Sequence, residues 1–363
     1  MPLSTTMTGL FIELVRLGIG NASPQEAILP ENCDWDSLEA FAEEQGLDAV
    51  VWDGLKRLSS SSLQIPEQLR FQWEGGVVVY FEHCYEVYQR DIAELAGFYH
   101  AHHFRMMVLK GYACSLDWPR PDHRPTGDID IWMFGDQRAA DDVLEHKTGI
   151  KVDTSHHHHT VFHWRHFMVE NHYDFINVHH HKSNVSLEKL FKNLAQDDTH
   201  YVYLLGEKVY LPSPNLHALF LLCHAKMHFA ADRISLRHLL DWAFHVKAHG
   251  AEIDWDWLTG VLEEYGMKEL FHIFNAICIE DLGFEPTLFP TADINRELKR
   301  RVLQDILSPA IPDAMPEQLL KRVVWKIHRW KANEWKHRLC YKESMWSAFW
   351  SGVWNHLLKP ASI

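Results

Sequence analysis

The hydrophobic period of this chain changes twice, and the two changes limit the folds open to it. Up to about residue 100, and again from Pro214 onward, apolar residues recur at the spacing of helices buried on one face. In between, short apolar runs and strict alternation predict strands. A strand-rich segment between two helical ones implies an α+β fold, a mixed sheet flanked by helices, and no repeat of solenoid length interrupts it. The divisions drawn from this pattern are an N-terminal helical region at 1–100, an α/β core at 101–212 and a C-terminal helical region at 213–363 with a basic, Trp-rich tail.

Within the first region, Asp34-Trp35-Asp36-Ser37 is an acidic helix start ahead of Leu38, Phe41 and Ala42. The spacing predicts a second helix over 47–58 and a long one over 69–99 with Val77, Tyr80, Phe81, Cys84, Val87 and Tyr88 on one face. The run Met106-Met107-Val108-Leu109 reads as a buried strand ending at Lys110-Gly111, and a proline-rich loop follows at 118–126. Gly127-Asp128-Ile129-Asp130-Ile131-Trp132-Met133 alternates as a strand, with Ile129 and Ile131 on one face and Asp128 and Asp130 on the other. A helix over 137–146 precedes strands expected at 160–164, 166–170 and 173–179, and 208–211 closes the sheet.

Apolar residues at 47% and charged residues at 23% exclude disorder. No aliphatic run approaches the roughly 18 residues of a membrane span. The first twenty residues lack a basic stretch ahead of their apolar ones and read as an amphipathic helix. Six cysteines without a CxxC pair suggest neither a zinc knuckle nor a disulfide framework, so a cytoplasmic location is expected. A net charge of −14 argues against a protein that coats nucleic acid, which is therefore not expected as a partner.

Two aspartates one residue apart on a strand project their carboxylates to the same side, where they can hold one or two divalent ions; oxygen ligands suit Mg²⁺ or Mn²⁺. The blander reading is a polar strand end. The context favours chemistry: Lys110 ends the preceding strand, Arg124 lies four residues before Asp128, and a lysine and an arginine beside a carboxylate-held ion are what a triphosphate requires. Gly127 lets a ligand approach the backbone closely.

The run Val108-Leu109-Lys110-Gly111 … Arg124-Pro125-Thr126-Gly127-Asp128-Ile129-Asp130-Ile131 resembles the bacterial uncharacterised nucleotidyltransferase family, a branch of the DNA polymerase β-like superfamily. The resemblance implies a nucleotidyltransferase fold that moves a nucleoside monophosphate from a nucleoside triphosphate to a hydroxyl of an unidentified acceptor. Asp128 and Asp130 would be metal ligands, Gly111 would admit a phosphate, and Lys110 and Arg124 would contact phosphates. Leu222 to His228, followed by Arg237-His238-Leu239-Leu240-Asp241, looks like the family's helical segment, with Lys226 on a phosphate.

Ile176-Asn177-Val178-His179 sits where the family carries a carboxylate-x-His strand. On a strand over 173–179, Phe175, Asn177 and His179 face the cleft, so Asn177 stands in place of the third carboxylate. An amide cannot take a proton from an acceptor hydroxyl. Either Glu170 or another group supplies the base, or the protein is a catalytically impaired nucleotide-binding or regulatory relative.

The 27 histidines include runs at 156–159 and 179–181, read as exposed or cleft-lining side chains in preference to a zinc site, because no fixed ligand spacing supports one. His179 is the one most suited to binding nucleotide. His224 and His228, at i and i+4, stitch helices together or hold an ion. Trp346, Trp350 and Trp354 share a helix face near the C-terminus, where 321–359 carries nine Lys or Arg against two acids. This segment is read as docked on the acidic body, with a partner protein as the alternative.

Overall fold

The computed structural model describes residues 5–25, 33–58, 65–156, 158–178, 181–196, 199–309 and 318–346. The protein is α+β, a six-stranded mixed sheet with helices before and after it. It divides into two compact units: Val79–Leu221 with Ala251–Asp254 and Trp346–Ile363, and Met1–Val78 with Leu222–Gly250 and Trp255–Met345. The helix Val79–Ala101 thus belongs with the sheet, whereas the boundary drawn from the sequence put it with the N-terminal helices. No described helix is long and apolar enough to cross a membrane.

The sheet comprises β1 (Met107–Val108), β2 (Ile129–Trp132), β3 (His159–Trp164), β4 (Phe167–His172), β5 (Tyr201–Leu204) and β6 (Glu207–Tyr210), in the order β3-β4-β2-β1-β6-β5. β2 runs antiparallel to β1 and parallel to β4; β3 and β4 form a hairpin, as do β5 and β6. The second hairpin turns through Leu205 and Gly206, both at positive φ, the conformation that a two-residue turn between twisted strands needs. Ile129, Ile131, Phe162, Val169 and Val209 pack against Tyr88, Ile92, Leu95 and Tyr99 of the helix Val79–Ala101. That helix buries a different face from the expected one, and Tyr80 is 65% exposed. A π-helical turn at Gln72–Val78, containing Gly75 and Gly76, shifts the helical phase before the helix begins.

Two of the expected strands move. The strand expected at 166–170 is β4, ending at His172, and 173–179 forms no strand among its described residues. The apolar pair Phe175 and Ile176 is buried, but their N–H groups donate to the Glu188 carboxylate at 3.1 and 3.0 Å instead of joining a ladder. The N–H groups of Tyr173 and Asp174 donate to the His158 carbonyl.

In the helical unit, the helices Thr5–Ile19 and Asp48–Arg57 cross in backbone contact. A Cβ on Gly18 would stand 2.1 Å from the Val50 carbonyl oxygen, and one on Gly54 2.1 Å from that of Leu14. Gln45, buried, accepts the N–H of Leu236 at 2.9 Å and donates to the Ile306 carbonyl at 3.2 Å, so an early helix is tied to two late ones. The described part of the basic segment packs within this unit: Lys336 pairs with Asp305 at 2.5 Å, Arg329 pairs with Asp232, and Trp335 packs on Phe229. Trp346 is 61% exposed, while Trp350 and Trp354 lie outside the described residues.

Gly54→Ala therefore forces the helices apart and is expected to destabilise the protein by about 3 kcal/mol. Gly260→Ala, where a Cβ meets nothing within 4 Å, is expected to stabilise the helix Trp255–Glu264 by about 0.5–1 kcal/mol. Urea unfolding of the two variants checks both signs, and equal effects would refute the close crossing.

Candidate functional site

The site grows from the ends of β1, β2 and β4. After β1 the chain turns sharply at Lys110 and Gly111, whose φ angles are +24° and +20°. A non-glycine residue held there is a strained position that the surrounding structure must enforce. The turn directs the Lys110 ammonium to Asp130 Oδ1 at 2.6 Å. What crowds Gly111 is Tyr88: its hydroxyl would stand 2.4 Å from a Cβ, and it donates to the Asp128 carbonyl at 2.8 Å. Glycine at 111 thus lets the long helix grip the backbone that carries the first aspartate.

Parallel pairing of β2 with β4 sets Asp130 opposite Glu170 and Trp132 opposite His172. Because side chains alternate, Glu170 and His172 share the cleft face, while Asn171 turns the other way and donates to Asp141 at 2.8 Å. His172 Nε2 lies 2.8 Å from Asp130 Oδ1 and 3.4 Å from Glu170 Oε2. Ligand atoms of Asp130, Glu170 and His172 all fall within 4.8 Å of one another, a group that can hold a metal ion. His159 Nε2 is 3.7 Å from Glu170 Oε1, and the His158 and His159 rings are 4.4 Å apart.

These neighbours set the protonation states. Burial would raise the Asp130 carboxyl, yet Lys110 and the hydrogen bond from His172 outweigh it and hold it well below the usual range. Asp128 is raised by burial and by repulsion from Asp130 and Glu170, against the pull of Lys110. Burial and the adjacent imidazoles push His158 down to about 3, and burial with His172 and His156 takes His159 to about 4, so both are neutral near pH 7. Asp130 and Glu170 meet beside one lysine and one histidine, and Asp128 lies near enough to feel their charge, an excess of negative charge suited to a divalent ion.

The sequence-expected residues distribute as follows. Lys110, Gly111, Asp128, Asp130 and Glu170 come together at the cleft. Arg124 is buried in the loop before it, donating to the Pro125 carbonyl at 3.2 Å, and Gly127 is exposed with open space around it. Asn177 is displaced from its expected position, since it lies on no strand and its carbonyl accepts from Asn184 at 2.6 Å. His179 lies outside the described residues. Lys226 is a buried residue of the helical unit, its ammonium 4.4 Å from the centroid of the Tyr341 ring. His224 and His228 of the same unit approach Nε2 to Nε2 at 3.1 Å. His172 was missed, although Glu170-Asn171-His172 has the carboxylate-x-His spacing seven residues before the segment chosen for it.

Glu188, which ends the strand and so shapes this face, carries a testable signature. Burial and Asp174 push its carboxyl from 4.5 up to about 7. The folded protein keeps that proton where the unfolded chain has lost it. Glu188 therefore contributes stability that is fully present below about pH 4.5 and lost as the pH rises through 7, up to about 3 kcal/mol in all. Urea unfolding of wild type and Glu188→Gln across this range should give a difference that changes by that amount. A constant difference would refute it.

The model of a family described as uncharacterised nucleotidyltransferase matches residues 31–282. No curated protein and no solved structure matches the chain. The match spans both the carboxylate cleft and the strand pairing that builds it, and the chain belongs to the uncharacterised nucleotidyltransferase family.

Proposed function

We propose that the cleft at β2 and β4 binds a nucleoside triphosphate with Mg²⁺ or Mn²⁺ and transfers its nucleoside monophosphate to an acceptor hydroxyl. The observation that carries this reading is the register that sets Glu170 beside Asp130, which completes a set of three carboxylates with Asp128 in a chain of this family. The donor set fits a divalent ion, and Asp128, Asp130 and Glu170 would hold it. When bound, the ion supplies positive charge to the phosphates.

Lys110 leaves Asp130 for the triphosphate and, with Arg124, neutralises it. Glu170 accepts the proton of the attacking hydroxyl. The acceptor oxygen bonds to the α-phosphorus as the bond to the β-phosphate oxygen breaks, and pyrophosphate departs with its electron pair. The impaired-enzyme alternative rests on Asn177 as a strand residue; Asn177 lies on no strand, and the pairing of Glu170 with Asp130 favours Glu170 as the third carboxylate.

Calorimetric titration with ATP, GTP, CTP and UTP, with and without Mg²⁺, tests the reading. Binding by the wild type that requires the ion and is lost in Asp128→Ala and Asp130→Ala is expected. Glu170→Gln, which keeps an oxygen donor for the ion but cannot take the proton, should retain binding and lose about a hundredfold or more in transfer to added hydroxyl compounds. Nucleotide binding unchanged in both aspartate variants would overturn the assignment.

A further inference from the structure

Oxygen-only sites favour Mg²⁺, which holds its water and its octahedral geometry tightly, whereas an imidazole donor tilts selectivity toward first-row transition ions. This cleft contains such a donor. His172 Nε2 stands 2.8 Å from Asp130 Oδ1 and 3.4 Å from Glu170 Oε2. Two ligands at right angles on an ion with bonds of about 2.1 Å lie about 3.0 Å apart, so the three atoms already have the spacing of neighbouring positions in one coordination sphere. The side chain has little freedom to leave: it is 4% exposed, on a strand paired on both sides, to β2 through Trp132 and to β3 through His159. His159 backs Glu170 on its other oxygen at 3.7 Å, so imidazoles line the cleft on the β3 side as well.

We infer that Nε2 of His172, once it gives up to solvent the proton it donates to Asp130, is a nitrogen ligand of the ion in this cleft, and that the site consequently selects Mn²⁺ over Mg²⁺. Of the ions suited to carboxylate and phosphate oxygens, Mg²⁺, Ca²⁺ and Mn²⁺, Mn²⁺ alone belongs to the first-row transition series, whose members take an imidazole donor more readily. The inference rests on the reading of this cleft as a metal-dependent nucleotide site and adds the identity of one ligand and of the preferred ion. Zn²⁺ and Ni²⁺ are poor probes here, since the chain's 27 histidines offer them many weak sites.

The test uses the full chain, stripped of metal. Mn²⁺ binding is followed by the loss of its free electron paramagnetic resonance signal and by competition with Mg²⁺. Wild type should bind Mn²⁺ tighter than Mg²⁺ by about tenfold or more. His172→Gln, which substitutes an oxygen donor of similar reach, should bring the two affinities together. A pulsed resonance spectrum of Mn²⁺ on the wild type should show coupling to a ¹⁴N nucleus, a readout that depends on no variant's folding. Mn²⁺ binding without ¹⁴N coupling, or an Mn²⁺/Mg²⁺ ratio unchanged in a folded His172→Gln protein, overturns the nitrogen ligand and leaves the carboxylate site standing. Failure of the wild type to bind either ion, with or without ATP, overturns both.

Discussion

One carboxylate oxygen organises the sheet unit. Asp130 Oδ1, on a side chain 3% exposed, meets Lys110 at 2.6 Å and His172 at 2.8 Å. The three residues come from the turn after β1, from β2 and from the end of β4, so the contact joins consecutive members of the ladder at the edge where the cleft opens. Burying an anion costs several kcal/mol unless cations and hydrogen bonds compensate, and losing one partner of such a set typically costs about 3–5 kcal/mol. The strained backbone at Lys110 and the fixed register of β4 are both explicable as what it takes to bring those partners to one oxygen.

Around that oxygen the polar groups divide sharply by face. On the cleft side stand Asp130, Glu170 and His172; on the other side Asn171 and Thr160 close on Asp141, which fastens the helix Gln137–Thr148 to the strands. The second set is joined by hydrogen bonds within the protein and holds that helix in place. The first lies beside Asp128, which burial and then repulsion from Asp130 and Glu170 raise, and such unresolved charge marks functional clefts more often than structural ones.

Much of this was legible in the sequence. Alternation in 127–133 identified the acidic strand because Ile129 and Ile131, both fully buried, leave the aspartates only one direction to point. The helical regions followed from their period, since burial on one face leaves a trace in every turn. The misreadings have local causes. Phe175 and Ile176 are apolar and buried, as strand residues are, but nothing in their own identity shows that a carboxylate 12 residues on takes the Ile176 N–H. The phase of the helix Val79–Ala101 was lost across a π-helical turn, where a period of 3.6 no longer counts residues correctly. His172 and Glu170 become site residues through pairing with β2, and register between strands forty residues apart is a tertiary property.

The division of the chain bears on its synthesis. The main segment of the sheet unit, Val79–Leu221, falls in sequence between the two parts of the helical unit, Met1–Val78 and the segments from Leu222 to Met345. Gln45 must wait for Leu236 and for Ile306, 261 residues later, before its side chain has its partners. At the usual pace of a ribosome that interval is roughly 15–50 seconds, far longer than a domain of this kind needs to fold. The segment bearing the carboxylate cleft is therefore synthesised while the N-terminal helices still lack the late helices that complete their unit. During that interval the apolar residues destined for the unfinished half are the part of the nascent protein most in need of protection from aggregation.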